Sequence, residues 1–302
     1  MVRAEAAARL RLGPLNGLGA HRLTWLDVFT ATPLTGNGLA VVHDADALSE
    51  DVMHAFARET KLSETSFIQS AEAPGADYRH RIWMTTGEIP FAGHPSLGAA
   101  AAVACARRER RATYVQQTRP GLQPIEVESD GRVARVSMLQ EPAAFGDELD
   151  GADVLPMLGL EPADADPALP SQVVSTGVPQ IVVPVRGDAV ARVRPDYDSI
   201  GALIARHRAI VVYVAAVDAR AGAAHARGFA ATAAQGEDPA TGSAAGPLCA
   251  LVARHAGVAR LDIRQGIEIG RPSRLRAEID GDRVRVGGDV VVVLEGTLHL
   301  DA

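Results

Sequence analysis

Cysteine is scarce in this 302-residue chain, which has only Cys105 and Cys249. Two thiols can supply neither a disulfide framework nor a four-thiolate metal site, and such usage is typical of proteins kept in a reducing cytosol. Both cysteines lie in alanine-rich segments that favour helix, so we expect buried, small apolar side chains. The sequence therefore predicts a cytoplasmic protein.

Aromatic residues and cationic runs are also few. Aromatics make up 4% of the chain, and 37 Asp and Glu outnumber 30 Lys and Arg, for a formal net charge of −7. The densest basic stretch, residues 107–111, follows an apolar helical segment, where cations stabilise the C-terminal end of the helix dipole. Without a basic surface or stacking rings, no nucleic-acid partner is predicted.

No charge-free apolar run approaches the roughly 20 residues of a membrane span, so no membrane interaction is predicted. Glu5 and Arg9 interrupt the only apolar stretch that could serve as a secretory signal, and residues 1–20 are predicted to be an N-terminal extension. The nine histidines show neither H-x-x-x-H nor H-E-x-x-H spacing. No metal site, and no metal-dependent hydrolysis, is therefore predicted.

Hydrophobic residues are abundant, at 47%, which is enough for two sizeable cores. Short segments of β-forming residues alternate with turns, and helical patterns are few. This predicts an α+β protein with antiparallel-rich sheets. Residues 141–171 carry the weakest pattern and are predicted to be an excursion on the surface.

Individual elements are predicted from residue type, apolar periodicity and turn signals. The predicted strands cover 22–29, 39–42, 61–69, 78–85, 126–127, 133–139, 172–185, 209–216, 228–231, 284–286 and 290–294. The predicted helices run from the cap Ser49 to about Glu59, from Pro95 to about Arg107, and from Ser243 to His255.

The pattern G-E-x-P-x-x-G occurs twice, at residues 87–93 and 236–242, half a chain length apart. Each copy runs into a helical segment of small residues, so the sequence predicts two similar halves that face each other. The closing glycine lets the backbone approach a ligand, and the helix start behind it presents unpaired N–H groups. Two such starts would form a cradle for a carboxylate or for enolate-like charge.

The side chains at these turns differ between the copies. Gly93 is followed by His94, whereas Gly242 is followed by Ser243, and Asp238 stands where the first copy has Ile89. A histidine, a serine and an acid beside the two starts are suited to orienting a polar substrate. Ser243 lacks the glycine two positions earlier that a nucleophile elbow requires, which disfavours a serine hydrolase.

Five segments in order resemble the phenazine-biosynthesis isomerase-like family. They are GNGLAVV (36–42), LSETSF (62–67), IPFAGHPSLGAA (89–100), GEDPATGSAAG (236–246) and QGIEIGRPS (265–273). The resemblance covers about residues 21–300. One departure is Gly38, where family members commonly have proline.

The resemblance implies a diaminopimelate epimerase-like fold of two pseudo-symmetric halves, each an antiparallel-rich curved sheet around a central helix. It divides the chain into an extension (1–20), a first half (21–125) and a second half (126–302), whose last strand is free to pack on the first half. It also implies a homodimer that needs neither metal nor cofactor.

The resemblance makes Glu64 the general acid/base. With His94 and Asp238 it completes the predicted catalytic set, while Gly93, Gly242 and Ser243 bind substrate. From the residues alone, Glu64 is a carboxylate at the mouth of an apolar strand, where burial would raise its pKa. An exposed glutamate at a strand end remains open on that evidence.

The related epimerases use two cysteines, one on each face of the reacting carbon. Ala92 and Thr241 occupy those positions here. A single carboxylate can still move a proton between two carbons on one face of a small-molecule carboxylate, which predicts a proton-shift isomerase. Two alternatives stay open: an amino or hydroxy acid racemase or epimerase that uses Glu64 against Asp238, and a non-catalytic protein that binds small acids.

Overall fold

A computed structural model describes residues 19–232 and 236–300. One mixed sheet of hydrogen-bonded strands dominates it, and the helices are few. The strands are β1 (Gly19–Val28), β2 (Asn37–Val42), β3 (Thr65–Gln69), β4 (Tyr78–Met84), β5 (Gly87–Ile89), β6 (Arg111–Thr118), β7 (Gly121–Ser129), β8 (Val133–Leu139), β9 (Ala144–Leu149), β10 (Ser171–Ser175), β11 (Pro179–Pro184), β12 (Val212–Asp218), β13 (Ala223–Phe229), β14 (Glu237–Asp238), β15 (Arg260–Gln265), β16 (Ser273–Asp280) and β17 (Arg283–Leu300). The helices are α1 (Glu50–Thr60), α2 (Gly93–Arg107), α3 (Gly151–Val154), α4 (Ala189–Arg192), α5 (Tyr197–His207) and α6 (Gly242–Ala256).

Eight strands close into a barrel. Pairing runs from β1 through β2, β3, β4, β6, β7 and β8 to β17, which pairs back onto β1. Helix α2 contacts every one of these strands. Its residues 93–104 are all buried and mostly small, which lets a helix without a polar face fit among the strands.

Two runs of strands pair in the same order and with the same directions. In the first run β1–β2, β3–β4, β6–β7 and β7–β8 are antiparallel, whereas β2–β3 and β4–β6 are parallel. In the second run β10–β11, β12–β13, β15–β16 and β16–β17 are antiparallel, whereas β11–β12 and β13–β15 are parallel. Helix α6 packs against β10, β11, β15, β16 and β17.

Helix α1 leads the chain to the candidate acid. The Ser49 hydroxyl accepts from the Val52 N–H, which caps the helix as predicted, and Met53 and Ala57 are buried. The helix ends where Lys61 adopts a left-handed backbone conformation, with φ of 54°. Strand β3 starts only at Thr65, so Glu64 lies in the connection just before the strand.

Most predicted elements are confirmed, and three need correction. The strand predicted at 228–231 is wrong: β13 spans Ala223–Phe229, where pairing with β12 and β15 overrides the weak β-propensity of alanine. Residues 172–185 form two strands with a turn at 176–178 rather than one. The two closing strands are one continuous strand, β17. Elements that were not predicted at all are β5, β6, β9, β14, β15, β16, α3, α4 and α5.

The surface excursion predicted at 141–171 is only partly correct, because most of these residues are exposed or half-buried but some enter the core. This segment contains β9 and α3, and it buries Val154, Leu155 and Leu158 in a core cluster with the β11 and β12 side chains. Of the two cysteines, Cys249 is buried as predicted, whereas Cys105 is only half-buried.

Residues 1–18 of the predicted extension lie outside the described residues, and Gly19 already pairs with Leu300. Strand β17 pairs with β1 and β8 in the barrel and with β16 in the second run, and it thereby joins the two. No helix within 19–232 and 236–300 is long and apolar enough to cross a membrane.

Candidate functional site

The starts of α2 and α6 meet directly. A Cβ placed on Gly93 would lie 3.3 Å from the Ser243 backbone nitrogen, and one placed on Gly242 would lie 3.8 Å from the His94 nitrogen. The Ala244 and Ala245 N–H groups are bound to the Thr241 carbonyl, and the Ser96 N–H to the Ala92 carbonyl. Within the described residues, the N–H groups of Gly93, His94, Gly242 and Ser243 have no hydrogen-bond partner, so they are available to a ligand.

The repeated glutamate of each turn forms a buried ion pair. Glu88 accepts two hydrogen bonds from Arg81, and Glu237 accepts two from Arg227. Each arginine also lies over an aromatic ring two residues further along its strand, at Trp83 and Phe229. The glutamates therefore anchor β5 to β4 and β14 to β13, which accounts for their place in the repeat.

Asn37, the first residue of β2, connects the groups of the site. Its amide Nδ2 donates to Asp238 Oδ1 at 2.8 Å and to the Ala240 carbonyl at 3.2 Å, and it lies 3.3 Å from His94 Nδ1. Its Oδ1 accepts from the Ser63 hydroxyl. Asn37 is in the quoted segment GNGLAVV but was assigned no role, because sequence alone does not show that the 35–38 turn reaches the second repeat.

Glu64 lies in this cluster with one free oxygen. Its Oε2 is buried, has no hydrogen-bond partner, and is 3.6 Å from His94 Nδ1. Burial and, to a smaller degree, the negative charge of Asp238 raise the pKa of Glu64 to about 7. Such a carboxyl can exchange a proton near neutral pH, as a general acid/base requires.

His94 is neutral. Burial lowers its pKa to about 3, against a smaller opposing contribution from the Gly38 backbone. Its Nδ1 lies between Asn37 Nδ2, at 3.3 Å, and Glu64 Oε2, at 3.6 Å. Its Nε2 is buried without a partner, so it is free to form a hydrogen bond with a bound substrate.

Asp238 has a more strongly fixed carboxyl. Burial raises its pKa to about 6, opposed by hydrogen bonds from Thr241, the Ala240 backbone and Asn37. Gln265 supports this arrangement, since its Nε2 donates to the Asp238 carbonyl at 2.8 Å and to Thr241 Oγ1 at 2.9 Å. Thr241 Oγ1 in turn donates to Asp238 Oδ2 at 2.8 Å.

Ser243 lies on the other side of the junction. Its hydroxyl accepts from Gln180 Nε2 at 3.3 Å, which leaves its own proton free to donate. It faces a cavity of about 270 Å³, together with Phe91, Met138 and Gln140. Of the six predicted site residues, Ser243 alone lines this cavity.

The structure thus brings Glu64, His94 and Asp238 into one cluster, beside the junction formed by Gly93, Gly242 and Ser243. The arrangement combines a titratable acid, a neutral imidazole and four free N–H groups, which suits proton transfer next to a developing negative charge. Among the residues that the structure describes, no group of three or more His, Cys, Asp or Glu is placed to hold a metal ion.

Comparison with known proteins finds relatives that match almost the whole chain. The family model described as phenazine biosynthesis-like protein matches residues 26–296. A trans-2,3-dihydro-3-hydroxyanthranilate isomerase from Pseudomonas aeruginosa is 37% identical, over 93% of this chain and the whole of that protein.

Solved structures show the same fold. A predicted epimerase from Pseudomonas aeruginosa superimposes with a TM-score of 0.81 at 33% identity, over 92% of this chain and 99% of that chain. A probable proline racemase from Agrobacterium radiobacter shares the fold alone, with a TM-score of 0.61 at 13% identity and 93% coverage of each chain. The chain belongs to the phenazine biosynthesis-like family and is an isomerase.

Proposed function

We propose that this isomerase moves a proton between two carbons of a small carboxylate-bearing substrate, with Glu64 as the acid/base. One observation carries the proposal. The Glu64 carboxyl has a pKa of about 7, and its free Oε2 lies 3.6 Å from His94 Nδ1, at the junction of the two helix starts. A buried carboxyl oxygen without a partner costs stability, and such groups occur where function requires them.

In the proposed reaction, ionised Glu64 removes a proton from one carbon and the electron pair shifts to form a new double bond. The free N–H groups of Gly93, His94, Gly242 and Ser243 stabilise the negative charge that develops on the substrate carboxylate. Glu64 then returns its proton to another carbon, which migrates the original double bond. His94 forms a hydrogen bond with the substrate through Nε2, and Asp238 fixes the Asn37 amide beside the imidazole.

Neither Glu64 nor Asp238 has an acidic residue at the matching position in the other part of the chain. Strand register matches Thr65 with Val212, so the counterpart of Glu64 is Val211; the repeat matches Asp238 with Ile89 and His94 with Ser243. Inverting a stereocentre needs a base on one face and an acid on the other. With valine and isoleucine opposite the carboxyls, transfer on a single face is the chemistry that the residues support.

We propose two pseudo-symmetric halves, with α2 central to residues 21–125 and α6 central to residues 126–302. The matching order and direction of strand pairing in the two runs supports this division, and so do the duplicated Arg–Glu pairs. A homodimer and a cytoplasmic location are also proposed, on the family resemblance and on the scarcity of cysteine respectively.

For the substrate, we propose trans-2,3-dihydro-3-hydroxyanthranilate, on which the Pseudomonas aeruginosa relative acts by its name. The test is to incubate this compound with the enzyme in deuterated water and locate the label by NMR. A proton-shift isomerase yields a product in which the double bond has migrated. The carbon that receives the proton carries deuterium to the extent that Glu64 exchanges its proton with solvent. Deuterium only at the original carbon, with inverted configuration, would establish a racemase. Saturable binding without conversion or exchange would establish a binding protein.

A further inference from the structure

The side chain of Gln140 bridges two parts of the chain that meet at the helix junction. Gln140 follows β8 and is 7% exposed. Its Nε2 donates to the Gly242 carbonyl at 2.9 Å, and its Oε1 accepts from the Thr176 hydroxyl at 2.6 Å. Its backbone is also fixed, because its N–H donates to the Val284 carbonyl and its carbonyl accepts from Arg283 Nε.

The Gly242 carbonyl belongs to the same peptide unit as the Ser243 N–H. In a trans peptide these two groups point in opposite directions, so a hydrogen bond that holds the carbonyl also fixes the direction of the N–H. The Ser243 N–H is one of the four free donors at the junction. Holding the Gly242 carbonyl therefore aims this donor before any substrate binds.

Gly246 provides independent evidence that this position is built for the glutamine. A Cβ on Gly246 would lie 1.9 Å from Gln140 Oε1 and 2.9 Å from Thr176 Oγ1. Glycine is less favourable than alanine inside a helix. The second turn of α6 thus has a glycine at a position where a methyl group would displace the Gln140 amide.

We infer that Gln140 is a positioning residue for the reaction: it orients the Gly242–Ser243 peptide so that the Ser243 N–H stabilises the developing charge. This inference rests on the proposed function, because it assigns a catalytic use to that N–H. Gln140 itself need not touch the reacting atoms. Its effect belongs in kcat rather than in KM, since the charge grows only on the way to the transition state.

The main test compares Gln140→Glu with Gln172→Glu. Gln172 is a matched control, because it is 5% exposed and donates to the carbonyl of Gly146 in β9 rather than to a carbonyl of α6. Both variants place a carboxyl in a buried site. For Gln140→Glu, we expect kcat on trans-2,3-dihydro-3-hydroxyanthranilate to fall at least about tenfold with little change in KM. Gln172→Glu should match the loss of stability but retain kcat; equal kcat values for the two variants would overturn the inference.

The pH dependence of Gln140→Glu gives a second readout. Once protonated, the introduced carboxyl can again donate to the Gly242 carbonyl. The ratio of variant to wild-type kcat should therefore rise as pH falls, and a ratio that is flat with pH would contradict the orienting role.

A double-mutant cycle uses the close contact with Gly246. Gly246→Ala should lower kcat by displacing the Gln140 amide, and it should add no further loss in a Gln140→Ala background. Independent, additive losses would overturn the inference.

An NMR measurement on the protein without substrate separates this inference from the proposed function. In Gln140→Ala, the amide resonance of Ser243 should shift while that of Gly93 stays in place. An unchanged Ser243 resonance would overturn the inference whether or not the wild type converts the test compound. If the wild type is inactive while the resonance shifts, the orienting contact stands and the proposed function fails.

Discussion

Asn37 and Asp238 are 201 residues apart in the chain, yet the Asn37 amide donates to Asp238 Oδ1 across 2.8 Å. The same amide faces His94, and its oxygen accepts from Ser63, the neighbour of Glu64. The turn at the start of β2 thereby connects the segment of Glu64 with His94 and Asp238. These contacts connect Asp238 of the second repeat with residues from the first part of the chain.

Replacing Asn37 by Asp puts a negative charge in place of this donor. The new carboxylate would face Asp238 and lie near Glu64, so we expect the pKa values of both acids to rise. Because Glu64 must be ionised to accept a proton, the acidic limb of the kcat/KM profile should move to higher pH. Asn37→Leu is the matched variant: it loses the amide without adding charge and should shift the limb far less. Identical limbs in the two variants would show that charge does not couple these positions.

Asp238→Asn should move the same limb in the opposite direction. The negative charge of Asp238 helps to raise the pKa of Glu64 to about 7, so its removal lowers that pKa. The wild-type kcat/KM should fall as pH drops below about 7, and in the variant this fall should begin at lower pH. The absolute rate is not the readout here. If the acidic limb of the kcat/KM profile stays in place or moves to higher pH, the charge of Asp238 does not raise the pKa of Glu64.

Stability gives a test of Glu64 that needs no substrate. Its pKa in the folded protein is above the ordinary value of 4.5, so the folded state binds the proton more tightly than the unfolded chain does. Burial of Glu64 is thus tolerated at low pH, and the free energy of unfolding falls as pH rises from about 4.5 to 7. The fall amounts to about 3 kcal/mol at most.

Glu64→Gln should remove this pH-dependent loss. The difference in free energy of unfolding, variant minus wild type, should therefore increase from pH 5 to pH 8. Urea unfolding across that range measures it. Parallel curves for the two proteins would mean that the pKa of Glu64 is not raised.

The two buried Arg–Glu pairs should differ in their contribution to stability. Arg227 bonds to Glu237 and to the carbonyls of Val190 and Val193, whereas Arg81 keeps an ion pair with Glu50 when Glu88 is removed. Glu237→Ala leaves a buried arginine without a counter-charge, and we expect a loss of about 3–5 kcal/mol in the free energy of unfolding. Glu88→Ala should cost less. The comparison is made by urea unfolding at pH 7, and the reverse order would contradict it.

The sequence predicted much of the fold and most of the groups at the site. The repeat G-E-x-P-x-x-G located both helix starts because Pro and Gly restrict or release the backbone in ways that are visible locally. Ser49 likewise marked the start of α1. The acids Glu64 and Asp238 were found through the resemblance and the repeat, and the structure places them in one cluster.

What the sequence did not show depends on contacts between distant residues. Gln140 and Gln265 have no local signature, because a glutamine at a strand end is usually a surface residue, and their partners lie on other elements. Strand β13 was misplaced because neighbouring strands, rather than its alanines, hold it in the sheet. The glutamates of the repeat were visible as a pattern, but their arginine partners were not.

The most direct measurement of whether Glu64 moves the proton is the rate of conversion of trans-2,3-dihydro-3-hydroxyanthranilate in deuterated water by Glu64→Gln. Glu59→Gln is the control, since Glu59 is exposed at the end of α1 and loses the same charge. With Glu64 as the acid/base, the rate of Glu64→Gln should be about 10²- to 10⁴-fold below wild type, while Glu59→Gln stays near wild type. Conversion by folded Glu64→Gln at the rate of the control would contradict the proposal.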